Sequence, residues 1–462
     1  MQKIMFAISM ALGMLCPVFS QTIPQKLDNL LNAYAQLNQF NGTVLIAQNG
    51  KILLEKGYGF QDIQTKTPCT TKTIYQIASV TKTFTSALVL KLAEQQKLSL
   101  SDKLTRYYPN LPHVDNITIE HLLTHTSGIP NISLDTTEIN KEDNKLANES
   151  IMINALMKGP ALDFVPGSNW NYSNLGYALL GYVIQKVTGL SYYDALRHYT
   201  FQPLQMTHSG FDFIHLADSH KATGYYTYPM GSKTEVATIL DSAGPFAAGA
   251  IYSTVGDLYK WHKGLQDNQI ISKASQEKAY TAYRNRYGYG WVVDSLFHTR
   301  VVSHGGDIWG FKTNFIRVPS DDICIVLLSN IEDNERLTTI TNKILSILYQ
   351  WPYSLPSPSK PAIQLSVESL RQYTGMYKVD PKYSNAMSPE VLEIKLEGTK
   401  LIAQASRHSR KGPQFEITPL TEKYLILKEI GAELEVVRDK KGKVYKIFSD
   451  QFGLKIPYSK VP

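Results

Sequence analysis

Cysteine is scarce in this chain: Cys16, Cys69 and Cys324 are the only three among 462 residues. A disulfide-stapled miniature fold is excluded by that count and length, and none of the three has the Cys or His neighbours of a zinc site. No metal or other cofactor is implied. Long apolar runs are also missing; the longest, Ile4 to Leu15, is too short to span a bilayer. Blocks of one charge are missing too. The net charge is +7, and residues 360–462 hold 18 Lys and Arg against 12 Asp and Glu, but the signs interleave. That pattern describes a solvated basic face, not a nucleic-acid or membrane surface. Finally, neither Lys-Thr-Gly nor Lys-Ser-Gly occurs anywhere. A hydrophobic fraction of 43% with 19% charged residues excludes a disordered chain, and the length suggests two units with separate cores.

Residues 1–20 read as a signal peptide: Lys3 supplies the positive start, the apolar run follows, and small Val18 and Ser20 precede a cleavage point before Gln21. The mature protein is expected to be periplasmic or secreted, with no stable membrane span. Cleavage would leave Cys69 and Cys324, expected as two free buried thiols.

Residues 41–58 show two strand-like runs split by Asn49-Gly50, a strong hairpin signal. From Ser79 to Gln95 the apolar spacing becomes helical, with Phe84, Leu88 and Leu92 on one face. Residues 118–270 read mostly as helices and long loops. Strand signals return at Gly290–Val293, Arg300–Ser303, Asn314–Val318 and Ile323–Ser329, and Leu337–Tyr349 looks like a covering helix. The spacing thus predicts an α+β domain over 21–350: one antiparallel sheet built from both ends of the segment, flanked by helices, with a helical region inserted. Residues 351–361 hold four prolines and read as a semi-rigid linker, so that few contacts should cross it. Residues 362–462 follow as six short strands, at Tyr373–Val379, Val391–Leu396, Leu401–Ala405, Tyr424–Lys428, Glu433–Arg438 and Val444–Phe448, suggesting a small all-β barrel or sandwich.

Three segments carry chemistry. Ser79-Val-Thr-Lys82 puts a hydroxyl and an amine three residues apart on one helical turn, so the amine can reach the hydroxyl. Ser275 with Lys278 and Ser357 with Lys360 share the spacing, but only Ser79 opens an apolar helix, whose free N–H groups can bind an oxyanion. Tyr172-Ser-Asn174 sits on a loop feeding a helix, unlike Tyr283-Arg-Asn285 and Tyr383-Ser-Asn385. His304-Gly305-Gly306 falls on a strand edge, where two glycines let a substrate approach the backbone. Taken singly, Ser79 could cap its helix and Tyr172 could be one of many packed tyrosines.

In order and in sum, Ser-x-x-Lys, Tyr-x-Asn and His-Gly-Gly resemble the three-motif pattern of the class C β-lactamase-related serine hydrolases, which include penicillin-binding DD-peptidases, D-aminopeptidases, esterases and β-lactamases. Leu122-Leu-Thr-His-Thr-Ser-Gly128, Pro203-Leu-Gln-Met206, Ala248-Gly-Ala-Ile-Tyr-Ser253 and Tyr287-Gly-Tyr-Gly-Trp291 add to the resemblance, which spans about residues 25–350. Tyr373-Thr-Gly-Met-Tyr377 is similar to the start of small β-barrel domains carried by some of these hydrolases. The resemblance implies Ser79 as nucleophile, Lys82 and Tyr172 as its proton partners, and an acyl-enzyme released by water. It implies that the Lys82 charge would favour the Tyr172 phenolate, that Asn174 would hold the lysine or a substrate amide, and that the N–H groups of Ser79 and Asp307 would form the oxyanion hole. His125 is expected to hold a loop. His304 departs from the family pattern: members that bind a free carboxylate or a β-lactam usually carry lysine there, and a neutral imidazole supplies no permanent cation. The expected substrate is therefore a small peptide, amide or ester, with bonds to D-residues included. DD-peptidase or β-lactamase action is the alternative, and a non-catalytic penicillin-binding or sensor-like protein is the contrary class.

Overall fold

A computed structural model describes residues 21–130, 149–158, 162–227, 234–331, 334–358, 360–384 and 388–461; the expected signal peptide and Asn385 lie outside them. The chain starts with α1 (Ile23–Gln36), closed at its front by a capping box between Thr22 and Gln25, and buries Leu27, Leu30, Leu31 and Tyr34 along one stripe. Strands β1 (Gly42–Gln48) and β2 (Lys51–Tyr58) form the expected hairpin, with Asn49 and Gly50 both at positive φ. Helix α2 (Thr81–Glu94) is buried nearly all round, from Thr81 to Leu92, so it lies inside the domain instead of on its surface. The inserted region contributes α3 (Asn174–Thr188) and α4 (Val255–Gln266).

Strands β3 (Val292–Leu296), β4 (Thr299–Ile308), β5 (Phe311–Val318) and β6 (Ile323–Ser329) complete a six-stranded sheet in the order β2-β1-β6-β5-β4-β3. Both ends of the domain therefore meet in the middle of one antiparallel sheet. Alternation along β6 sorts the two faces: Cys324, Val326 and Leu328 enter one apolar cluster with α2, while Ile323, Ile325 and Leu327 enter another with α1. Helix α5 (Asn334–Leu348) covers that second face.

Beyond the proline-rich stretch, eight strands from β7 (Gly375–Val379) to β14 (Leu454–Lys460) close into an antiparallel barrel around Tyr373, Tyr377, Ile394, Leu425 and Ile447. Arg410–Pro419 and Leu454–Lys460 are strands that the sequence pattern did not reveal. Contacts other than the linker join the barrel to the hydrolase-like unit. The Asn342 side chain of α5 donates to the Phe452 carbonyl at 2.8 Å and Lys343 of the same helix lies 3.9 Å from Asp450, while within the linker Ser354 donates to Asp450 at 2.6 Å and the Trp351 ring meets Tyr383 edge to face at 5.3 Å.

Candidate active site

Ser79 lies in a 3-10 turn, Ala78–Val80, just ahead of α2 and not within it. The turn is anchored by the Ile77 N–H donating to Ile251 O at 2.9 Å, and Ala78 takes a left-handed φ of 48° that a residue with a side chain adopts only under constraint. One turn on, Lys82 is fully buried, and its Nζ stands 3.0 Å from Ser79 Oγ, 2.8 Å from Asn174 Oδ1 and 2.8 Å from Ala248 O. No carboxylate is among these partners. Burial pushes the Lys82 ammonium well below its ordinary value, which favours the free amine.

Tyr172 is brought in by the loop before α3. Ser173 caps that helix, accepting from the Gly176 N–H at 3.1 Å, while its own N–H donates to His125 Nδ1 at 3.1 Å. The Asn171 N–H donates to His125 O at 3.0 Å, so one buried histidine grips the loop on both sides of Tyr172. The His125 ring lies 4.3 Å from the Tyr172 ring, and Lys82 Nζ is 4.8 Å from the same ring. Burial raises the Tyr172 phenol above its ordinary value, with a hydrogen bond to Ser79 pulling the other way. Burial without an acidic partner thus pushes both groups toward their neutral forms, opposite in direction to the charge relation the resemblance implies.

The third motif lies along β4. Pairing with β3 stops at Ser303, so His304 to Ile308 have β5 on one side and an open edge on the other. Counting back from the two-residue turn Trp309-Gly310, the antiparallel alternation turns the main-chain groups of Ile308, Gly306 and His304 toward β5, and those of Asp307 and Gly305 outward. Gly306 faces the Ser79 turn so closely that a Cβ there would sit 2.2 Å from Ile77 O. Imidazole His304 is almost fully buried; its Nδ1 lies 2.7 Å from Gly305 O and its Nε2 2.9 Å from the Tyr287 hydroxyl. Burial, with the Lys82 charge second and the Gly305 bond opposing both, holds His304 down to about 3. These pieces line one cleft of about 450 Å³, which contains Ser79, Tyr172, Asn174, His304, Gly305, Gly306 and Asp307 and runs on to Lys312, Asn314 and the first turn of α5. Every site residue expected from the sequence lines this cleft except Lys82, which lies directly beneath Ser79.

The family model described as Beta-lactamase matches residues 27–347. This chain belongs to the beta-lactamase family. The family is largely one of serine hydrolases. Penicillin-binding protein 4* of Bacillus subtilis (strain 168) is 30% identical over 433 residues, covering 88% of this chain and 92% of its own length. The fold is similar to that of the octameric penicillin-binding protein homologue from Pyrococcus abyssi, with a TM-score of 0.64 at 24% identity over 94% of this chain and 99% of that one. It is also similar to that of D-amino acid amidase from Ochrobactrum anthropi SV3, with a TM-score of 0.58 at 21% identity over 70% of this chain and 99% of that one.

Within this beta-lactamase fold, sequence reasoning missed three participants. The Ala248 carbonyl that receives Lys82 is main chain, so no residue type marks it. Tyr287, in contact with His304, and Lys312, which forms an ion pair with Asp307, come from neighbouring segments. The Tyr287-Gly-Tyr-Gly-Trp291 motif was the available signal for the first; Gly290 within it packs against Lys82 O, where a Cβ would come within 2.7 Å. Cys69 and Cys324 are both buried and unpaired. Among the described residues no helix is long and apolar enough to cross a membrane.

Proposed function

We propose that the protein is an exported serine hydrolase that cleaves amide, peptide or ester bonds through an acyl-enzyme on Ser79, with bonds to D-residues among its substrates. The observation that carries this reading is the set of partners around Lys82 Nζ. A neutral amine has two N–H donors and one lone pair. The carbonyls of Asn174 and Ala248, both at 2.8 Å, take the two donors, and the lone pair is left for the Ser79 hydroxyl at 3.0 Å. Lys82 is then a base aimed at its nucleophile.

In the first step Lys82 accepts the Ser79 proton as Oγ bonds to the substrate carbonyl carbon, and the C=O pair moves onto oxygen. The outward N–H of Asp307 and the N–H of Ser79, at the head of its turn, stabilise that oxyanion. Collapse breaks the bond to the leaving nitrogen or oxygen, which takes a proton from the Tyr172 phenol; the Lys82 ammonium restores the phenol. Water repeats the cycle and frees the acid. The outward N–H and C=O of Asp307 also suit a substrate laid as an added strand along β4. The apolar run at 4–15 supports export to the periplasm or the medium.

A fluorophosphonate probe followed by peptide mass spectrometry tests the nucleophile: adduct on Ser79, and none on Ser275 or Ser357, is expected. A panel of D-amino-acid amides, DD-dipeptides, p-nitrophenyl esters and a chromogenic cephalosporin then separates amidase or esterase action from DD-peptidase and β-lactamase action. Labelling at another serine overturns the mechanism, and labelling without any turnover moves the protein to the binding or sensor class.

A further inference from the structure

We propose that Tyr287 is a specificity-determining positioning residue, which by donating to His304 Nε2 fixes the imidazole as its Nδ1–H tautomer and so makes the cleft reject substrates that place a free carboxylate along β4. This rests on the hydrolase reading above and names the substrates that site prefers.

The proton assignment follows from donor and acceptor counting. Gly305 O can only accept, so the 2.7 Å contact with His304 Nδ1 requires the proton on Nδ1. In a neutral ring Nε2 is then a lone pair, and the Tyr287 hydroxyl at 2.9 Å must donate to it. The neighbouring Tyr177 phenol gives its own hydrogen to Leu123 O at 2.8 Å. Protonating His304 would force the Tyr287 hydrogen away from Nε2 toward Tyr177. The groups facing the ring offer no help to a cation: Lys82 from α2, His125 and Tyr172 from their loops, and Tyr287 itself, with no carboxylate among them.

Tyr287 is well held for this task. Its N–H donates to Arg284 O at 2.9 Å and its carbonyl accepts from Tyr283 at 3.0 Å, across Asn285 and Arg286, both at positive φ. Its ring is buried and packs 4.6 Å from His125, so the residue that grips the Tyr172 loop also braces Tyr287. Both His304 nitrogens are therefore consumed inside the protein. A substrate carboxylate beside them meets no cation or free N–H from His304, and Lys312, the cation further along the cleft, is already paired with Asp307, whereas a neutral amide or ester loses nothing there.

Selective ¹⁵N labelling of histidine and NMR of the full chain between pH 5 and 8 reads the tautomer directly. Wild type should show His304 protonated on Nδ1 alone, unchanged across that range; a proton on Nε2 at neutral pH overturns the proposal without any variant being made. In Tyr287→Phe the Nε2 donor is gone, only the Gly305 bond still holds the ring, and the imidazole can turn an N–H to the cleft. The preference for a neutral amide over the matching free-acid substrate should then shrink by about tenfold, in KM more than in kcat. An unaltered tautomer and an unaltered preference in that variant refute it. Absence of turnover and of Ser79 labelling in wild type would instead refute the hydrolase reading, while the tautomer signature stood.

Discussion

Gly306→Ala is the sharpest mechanical test of the cleft. A Cβ at this position would lie 2.2 Å from Ile77 O and 3.1 Å from Ile77 C, whereas real side-chain carbons essentially never approach closer than 3.0 Å. Relief therefore needs a separation of at least about 0.8 Å between β4 and the turn that carries Ser79. Both contacting groups are main chain, so no side-chain rotation absorbs it. A misplacement on the order of 1 Å in a reacting geometry costs on the order of a hundredfold in rate, and overpacking of this kind destabilises by roughly 1–3 kcal/mol. The assay is the rate of fluorophosphonate labelling and kcat on whichever ester proves active, with thermal unfolding measured in parallel. Gly305→Ala is the control for the thermal unfolding, because a Cβ there meets no protein atom nearer than Thr313 O at 3.8 Å. A Gly306→Ala protein that labels at the wild-type rate would refute the claim that a bare glycine here is needed for β4 to lie this close to the Ser79 turn.

Lys82→Ala and Tyr172→Phe should each lower kcat by at least about a hundredfold, the usual contribution of a general acid or base; stopped assays on one ester suffice. Because burial depresses Lys82, kcat/KM should fall as pH drops through its lowered value, with no inflection from His304 above pH 5. The unfolded His304 binds its proton near 6.5 and the folded one near 3, so its contribution is intact above about 6.5 and declines on acidification. At pH 4 the difference is roughly 2.5 pH units, or about 3 kcal/mol, and the unfolding free energy of His304→Gln from urea titration should fall that much less between pH 7 and 4 than that of wild type. The buried Arg317 donates to His262 Nδ1 and Gln266 Oε1, each at 3.0 Å, and to Tyr280; His262→Leu should cost about 2 kcal/mol in the same measurement.

The grouping of Ser79 with Lys82 was legible because short spacing and a helix start fix their mutual placement: the two stay on one face whether the first turn is 3-10 or α. The protonation states were not legible. They depend on what surrounds Lys82 Nζ, and Ala248 O and Asn174 lie 166 and 92 residues away. In the barrel, Arg410–Pro419 escaped notice because Gly412, Pro413 and its charges break the alternation that marks a strand, although Gln414 and Phe415 pair it to Gln404 and Ala403 of its neighbour.

Helix α5 belongs to two structures at once. Leu337 and Thr338 in its first turn wall the cleft, while one turn further on Asn342 holds the barrel's Phe452-Gly453 turn, with Gly453 packed against Thr339. The barrel thus grips α5 within one turn of the residues that wall the cleft. Removing the barrel would take that grip from α5, so altered turnover with every motif residue unchanged is the expected result.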